Sequence, residues 1–157
     1  MKPLKGVLVA GIMASLASAI AEDSQAVKKD MATLQGEWSM GSGSADGQTM
    51  PEETCKQMKR VCKGDELTIT MGERTFFKAK ITIDPSASPK TIDYDMTEGP
   101  NKGKKQLGVY ELDGETFKSC FGAPGATRPA DFTSKTGQRR TLSVWKRQKE
   151  DKTEEKK

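Results

Sequence analysis

The 157-residue chain has three cysteines, Cys55, Cys62 and Cys120, and no histidine. Without imidazole, neither a Ser-His-Asp nor a Cys-His nucleophile arrangement can form, nor a His-ligated zinc site. Among the acids, Asp93 and Asp95 in "TIDYDM" lie two apart, so both face the same way in an extended segment. A glycosidase places two carboxylates either side of one bond, but this pair falls on the polar face of its strand, where carboxylates are ordinarily solvated. "DYDMTEGPNKGK" has acids at the first and third positions of a calcium loop; Glu98 then stands where the turn glycine belongs and Lys104 where the bidentate acid belongs. The cations left are Lys102, Lys104 and Lys105 in "NKGKK" and Arg128 in "GAPGATRPADF". On loops they are either solvated charges or a means of drawing in an anion, for which the guanidinium fork of Arg128 is the better shaped. These residue types point to no metal, no cofactor and no enzyme.

Such side chains must be carried by strands. From Gly36 onward the chain breaks into short alternating runs separated by turn residues. Eight strands are expected, at 36–42, 58–63, 65–71, 75–83, 90–96, 106–112, 115–121 and 141–147. In "RTFFKAKITID", Phe77, Ala79, Ile81 and Ile83 share one face, with Phe76, Lys78, Lys80 and Thr82 on the other. "ELTITM" groups Leu67, Ile69 and Met71. A period of two with one polar face describes an antiparallel sheet wet on one side. "LDGET" suggests a type I′ hairpin at Asp113-Gly114. An up-and-down barrel gives such strands a shared interior and leaves no edges; a two-sheet sandwich is the rival.

The expected interior comprises Trp38, Met40, Leu67, Ile69, Met71, Phe77, Ala79, Ile81, Ile92, Tyr94, Met96, Tyr110, Phe117, Phe121, Leu142 and Val144. Trp38 in "LQGEW" is read as a core residue closing the barrel floor. In a meander, connections 43–57, 72–74, 97–105 and 122–140 gather at one end, which makes that end the mouth. Met40, Phe77, Tyr94, Met96, Tyr110 and Phe121 are the candidate ligand-contacting residues, with Lys102, Lys104, Lys105 and Arg128 at the rim. The same parity brings Cys55 and Cys120 together at the mouth as a disulfide pair, with Cys55–Cys62 as runner-up.

The N-terminus has a basic start at Lys2 and Lys5, an apolar run from Gly6 to Ala19, and small-residue sites at Ala17-Ser18-Ala19 and Ala19-Ile20-Ala21. That is the form of a cleavable signal peptide over residues 1–21, which implies a secreted or periplasmic protein. The polar segment 22–35 is expected to be a short helix or a tether, and 148–157 a charged, disordered tail. With the two leader lysines and the charges from Lys146 onward set aside, acidic and basic residues balance. Nothing concentrates positive charge as nucleic acid would require, and the mature chain has no expected membrane span.

"LQGEW", "ITIDPSASPKTIDYDMTEGPNKGKKQLGVYELDGETFKSCF" and "RPADFTSKTGQRRTLSVWKR" resemble an exported lipocalin-like domain family expanded in planctomycete bacteria. The resemblance spans Met31 to Arg147 and implies a signal peptide and a calycin-type barrel; it brings no assigned ligand or reaction. It also implies that Gly36-x-Trp38 packs beneath a basic residue of the last strand, here Lys146 or Arg147. The expected function is a binding module for a small, partly apolar ligand. The alternative is a filled barrel acting as a structural or protein-interaction module at the cell envelope.

Overall fold

The computed structural model describes residues 13–148. Helix α1 (Met13–Leu34) leads into strand β1 (Gly36–Ala45), a short β2 (Gln48–Thr49) and helix α2 (Glu52–Gln57). Strands β3 (Met58–Lys63), β4 (Glu66–Met71), β5 (Arg74–Asp84), β6 (Lys90–Glu98), β7 (Lys105–Asp113), β8 (Thr116–Phe121) and β9 (Thr141–Arg147) follow. Apart from β2, the strands lie antiparallel in chain order, and β1 pairs with β9 to close an eight-stranded up-and-down barrel. Closure satisfies the backbone of both would-be edge strands. Residues 1–12, the start of the expected leader, and 149–157, most of the expected tail, lie outside the described residues. Among the described residues no helix is long and apolar enough to cross a membrane.

Alternation decides most of the wall. In β5, Ala79, Ile81 and Ile83 are buried between exposed Lys80 and Thr82, and they pair with Met96, Tyr94 and Ile92 of β6. β1 runs beyond the expected boundary because it has two partners: β3 through Gly36–Ser39, and β9 through Trp38–Ala45 with a register shift between Met40 and Ser42. It then turns through Asp46-Gly47, with φ of 48° and 81°, into β2. Two consecutive positive φ values are the type I′ signature. At the other end Asp113 pairs with Thr116, so the two turn residues are Gly114 and Glu115. Only Gly114 has positive φ there, which corrects the expected type I′ turn at Asp113-Gly114.

Two interior assignments differ from the expectation. Met71 is 40 % exposed, following a register shift after Ile69. In β9 the inward residues are Ser143 and Trp145, both buried, not Leu142 and Val144. The outer face of this part of the wall is itself partly covered, with Cys120 buried and Leu142 and Val144 half-buried, so both faces of β9 carry apolar residues. Alternation then cannot select the inward face, and a one-residue slip exchanges the two sets.

The segment expected to be a short helix or a tether belongs to α1 as far as Leu34. Val27, Asp30, Met31 and Leu34 recur at helical spacing and pack against the closed end of the barrel. Gln148, the first residue of the expected tail, is held to β1: its N–H donates to the Glu37 carbonyl at 2.9 Å, and Ser39 Oγ donates to its Oε1 at 2.6 Å.

Candidate functional site: a floored barrel with an open, apolar bore

The floor is built around Trp38, which is fully buried. Its indole Nε1 donates to the Leu34 carbonyl at 3.0 Å, joining β1 to the end of α1. Phe117 meets it edge-on with 6.2 Å between centroids, and Tyr110 lies 6.1 Å from Phe117. The Arg147 guanidinium stacks on the indole at 4.3 Å. It also donates to the Gln35 carbonyl at 3.0 Å and to the Thr33 carbonyl, so a cation sits at the C-terminal end of α1, where unpaired carbonyls favour one. The inward parity of Trp145 decides which basic residue does this. Arg147 shares that face, while Lys146 is exposed. At Gly36, ahead of Trp38 at φ 95°, a Cβ would stand 3.9 Å from Arg147 Nη1.

Buried Asp30 of α1 accepts from the Tyr110 hydroxyl at 2.7 Å and from Lys90 Nζ at 2.9 Å. Burial pushes the Tyr110 phenol far above its ordinary range, and its hydrogen bond to Asp30 pushes it in the same direction. Tyr110, expected among the ligand contacts, therefore faces inward as its parity requires but belongs to the floor.

Above the floor the bore is open. A cavity of about 430 Å3 reaches the mouth, within the roughly 300–1,000 Å3 range of small-molecule sites. Five of the six candidate residues line it together: Met40, Phe77, Tyr94, Met96 and Phe121. Phe76, Phe77, Tyr94 and Phe121 form a continuous aromatic wall, with successive centroids 5.7, 6.3 and 4.2 Å apart. Gly108, opposite Phe121 on β7, makes this possible: a Cβ there would stand 2.5 Å from the Phe121 ring. The sequence reasoning missed Met50, Met58 and Trp145 in the lining. A glycine inside a strand pattern, as in "LGVY", was the available signal for close approach.

The rim residues separate. Lys102 and Lys104 are exposed, and Lys105 pairs with Asp95 at 3.7 Å. Pro100 and Asn101 of that loop line the cavity, but its lysines do not. Arg128 is not at the rim. The 122–140 connection leaves the mouth at Ala123 and Pro124, then folds down the outer wall and buries Pro129 against it. Arg128 donates to the Gly108 carbonyl at 2.7 Å and pairs with Asp93 at 2.7 Å. Asp93 and Asp95 thus each face a cation on the outside of the barrel, and among the described residues no group of acids or thiols converges as a metal site.

The expected Cys55–Cys120 disulfide is absent, and all three thiols are free and buried. Cys55 belongs to the interior core, as does Cys62. Cys120 follows inward Ser119, so it faces outward and lies under the descending loop, its thiol 3.5 Å from the Thr133 carbonyl. The barrel wall stands between the two thiols that loop parity had paired. Burial raises both the Cys62 and Cys120 thiols.

One interior residue fits neither floor nor lining. Arg60 lies inward between Met58 and Cys62 on β3 and is fully buried. Its guanidinium stacks on Phe117 at 4.5 Å. Among the described residues none of its three nitrogens has a hydrogen-bond partner. Burial raises the Tyr94 phenol, and the Arg60 guanidinium beside its hydroxyl pulls it the other way, both by its charge and as a close donor that falls short of good hydrogen-bond geometry. The chain matches no family model, no curated protein and no solved structure.

Proposed function

We infer that this chain is an exported, lipocalin-like binding module for a small, partly apolar molecule taken up through the open end of the barrel. The observation that carries the reading is the cavity of about 430 Å3 above a sealed floor, walled by methionines and aromatic rings. Methionine is unbranched and adapts its shape to an occupant. A filled barrel used only as an envelope scaffold or interaction module is less well supported, because the bore above Trp38 is not filled by side chains. The α1 contacts that build the floor are made by Val27, Asp30, Met31 and Leu34, all of which stay in the chain after cleavage at Ala19 or Ala21.

The neutral dye N-phenyl-1-naphthylamine tests this reading. It should bind saturably, one per chain, with enhanced dye emission and quenching of Trp145, which lines the cavity. Ser119→Phe, which places a ring in the bore, should weaken binding at least ten-fold while the protein stays folded. Absence of saturable binding to the folded wild-type chain would refute the cavity as a ligand site. Export is tested separately: intact-mass analysis of envelope material should give a chain starting at Ile20 or Glu22, and a retained Met1 would count against it.

A further inference from the structure

Arg60 presents a physical problem that its neighbours do not solve. A fully buried guanidinium carries five N–H donors and a full positive charge. Placing such a group in an apolar interior without hydrogen bonds is strongly unfavourable unless an anion compensates it. Two other arginines differ from it: Arg147 at the floor donates to main-chain carbonyls, and Arg128 on the outer wall faces Asp93. Around Arg60 are Phe117 below, and Met58 and Tyr94 on the cavity side. None of these carries a negative charge: the one polar group among them, the Tyr94 hydroxyl close to the guanidinium, is neutral. Cys62, the next inward residue on β3, is a thiol that burial holds protonated.

The position matters as much as the missing partner. Met58, Ile69 and Tyr94 line the lower cavity, and Arg60 pairs across the sheet with Ile69. The guanidinium lies just beneath that lining, between the aromatic wall of the bore and the aromatic floor; it does not itself border the cavity, and a ligand's innermost end meets it once Met58 or Tyr94 shifts aside. We propose that the ligand is an apolar molecule with a single carboxylate, bound head-down, so that the carboxylate reaches the Arg60 guanidinium while its apolar body lies along the Phe77–Tyr94–Phe121 wall. This rests on the cavity reading above and specifies its ligand class. A planar carboxylate matches the guanidinium fork with two parallel hydrogen bonds. One cation favours one negative charge: a phosphate dianion would leave charge uncompensated among apolar walls. Arg139 also borders the cavity, but at the rim, where it is exposed and solvent weakens its hold on an anion.

The test uses displacement of N-phenyl-1-naphthylamine from the full chain by decanoate and by decan-1-ol, which share a chain length and differ in the head group. Decanoate should compete at least ten-fold better. In Arg60→Met, which removes the charge but keeps an unbranched side chain, the two should compete within about two-fold of each other. Removing an uncompensated buried charge should not unfold the protein. Its midpoint of thermal unfolding should hold or rise, and retained dye binding will show that the bore is intact. In wild-type protein labelled with 15N, the Arg60 Nε–H resonance should move downfield with decanoate and stay in place with the alcohol. Equal competition by acid and alcohol in the wild type would overturn the carboxylate proposal while dye binding left the cavity reading standing. So would an acid preference that survives Arg60→Met and disappears in Arg139→Gln, which would place the head group at the rim. If the dye itself does not bind, both readings fall together.

Discussion

The two ends of the barrel are made from similar residues in opposite ways. At the floor, every polar group named is matched: the Trp38 indole by Leu34, Tyr110 and Lys90 by Asp30, and Arg147 by the last carbonyls of α1. At the mouth the rings stack on one another and leave space, with Phe76 47 % exposed at the lip. Satisfied buried polar groups hold one geometry, because each alternative leaves a donor unmatched. Apolar contacts between methionines and half-exposed rings carry no such penalty and tolerate rearrangement. Stability is concentrated where α1 plugs the barrel, and adaptability where the loops gather.

The largest effect expected from this contrast is at Trp38. Trp38→Ala should cost about 3–5 kcal/mol in urea unfolding, the range for removing a buried large aromatic. Phe77→Ala at the half-buried mouth should cost far less, about 1 kcal/mol. Equal losses at the two sites would end the distinction between a rigid floor and a compliant mouth.

Next is the link from helix to barrel. Asp30→Ala strands the Tyr110 hydroxyl and the Lys90 ammonium, and should cost about 1–3 kcal/mol. In a double-mutant cycle with Tyr110→Phe the two losses should fall short of additive, because they remove one shared hydrogen bond. Full additivity would show that α1 does not engage the floor through this pair.

The pH dependence follows from the raised groups. Cys62 and Cys120 lie above their ordinary 9.0, and Tyr94 and Tyr110 above their ordinary 10.0. In the unfolded chain these groups lose protons at their ordinary values, whereas the folded chain retains them. The native state then binds more protons, so stability falls as pH rises. The denaturation midpoint should be level from about pH 6 to 8 and decline through pH 9 to 11. Tyr110→Phe should flatten the portion above pH 10. A midpoint that rises over this range would contradict the burial of these groups.

The smallest expected effect is at the lip. Phe76→Ser should leave stability within about 0.5 kcal/mol and weaken N-phenyl-1-naphthylamine binding a few-fold. A large stability loss would mean that Phe76 supports the wall and does not merely border the opening.

Several features were legible in the sequence because they depend on one strand or one turn at a time. The period-two runs with intervening Gly, Pro and Asp residues determine the eight strands, their antiparallel order and the inward faces of β5 and β6. The missing histidine likewise follows from composition alone, and the charge balance between residues 22 and 145 from the sequence. What the tertiary structure decided was height and covering. Tyr110 was legible as inward, but its place in the floor depends on Asp30 reaching it from a helix eighty residues earlier. The inward face of β9 was ambiguous because the 122–140 connection covers its outside, and no property of "TLSVWKR" announces that. The same covering placed Arg128 on the outer wall and put the barrel between Cys55 and Cys120. Arg60 was visible as one charged residue alternating with Met58 and Cys62. Only the assembled bore shows that no acid from another strand reaches it, because a charge is compensated by whatever lies beside it in space, and periodicity along one strand carries no information about that.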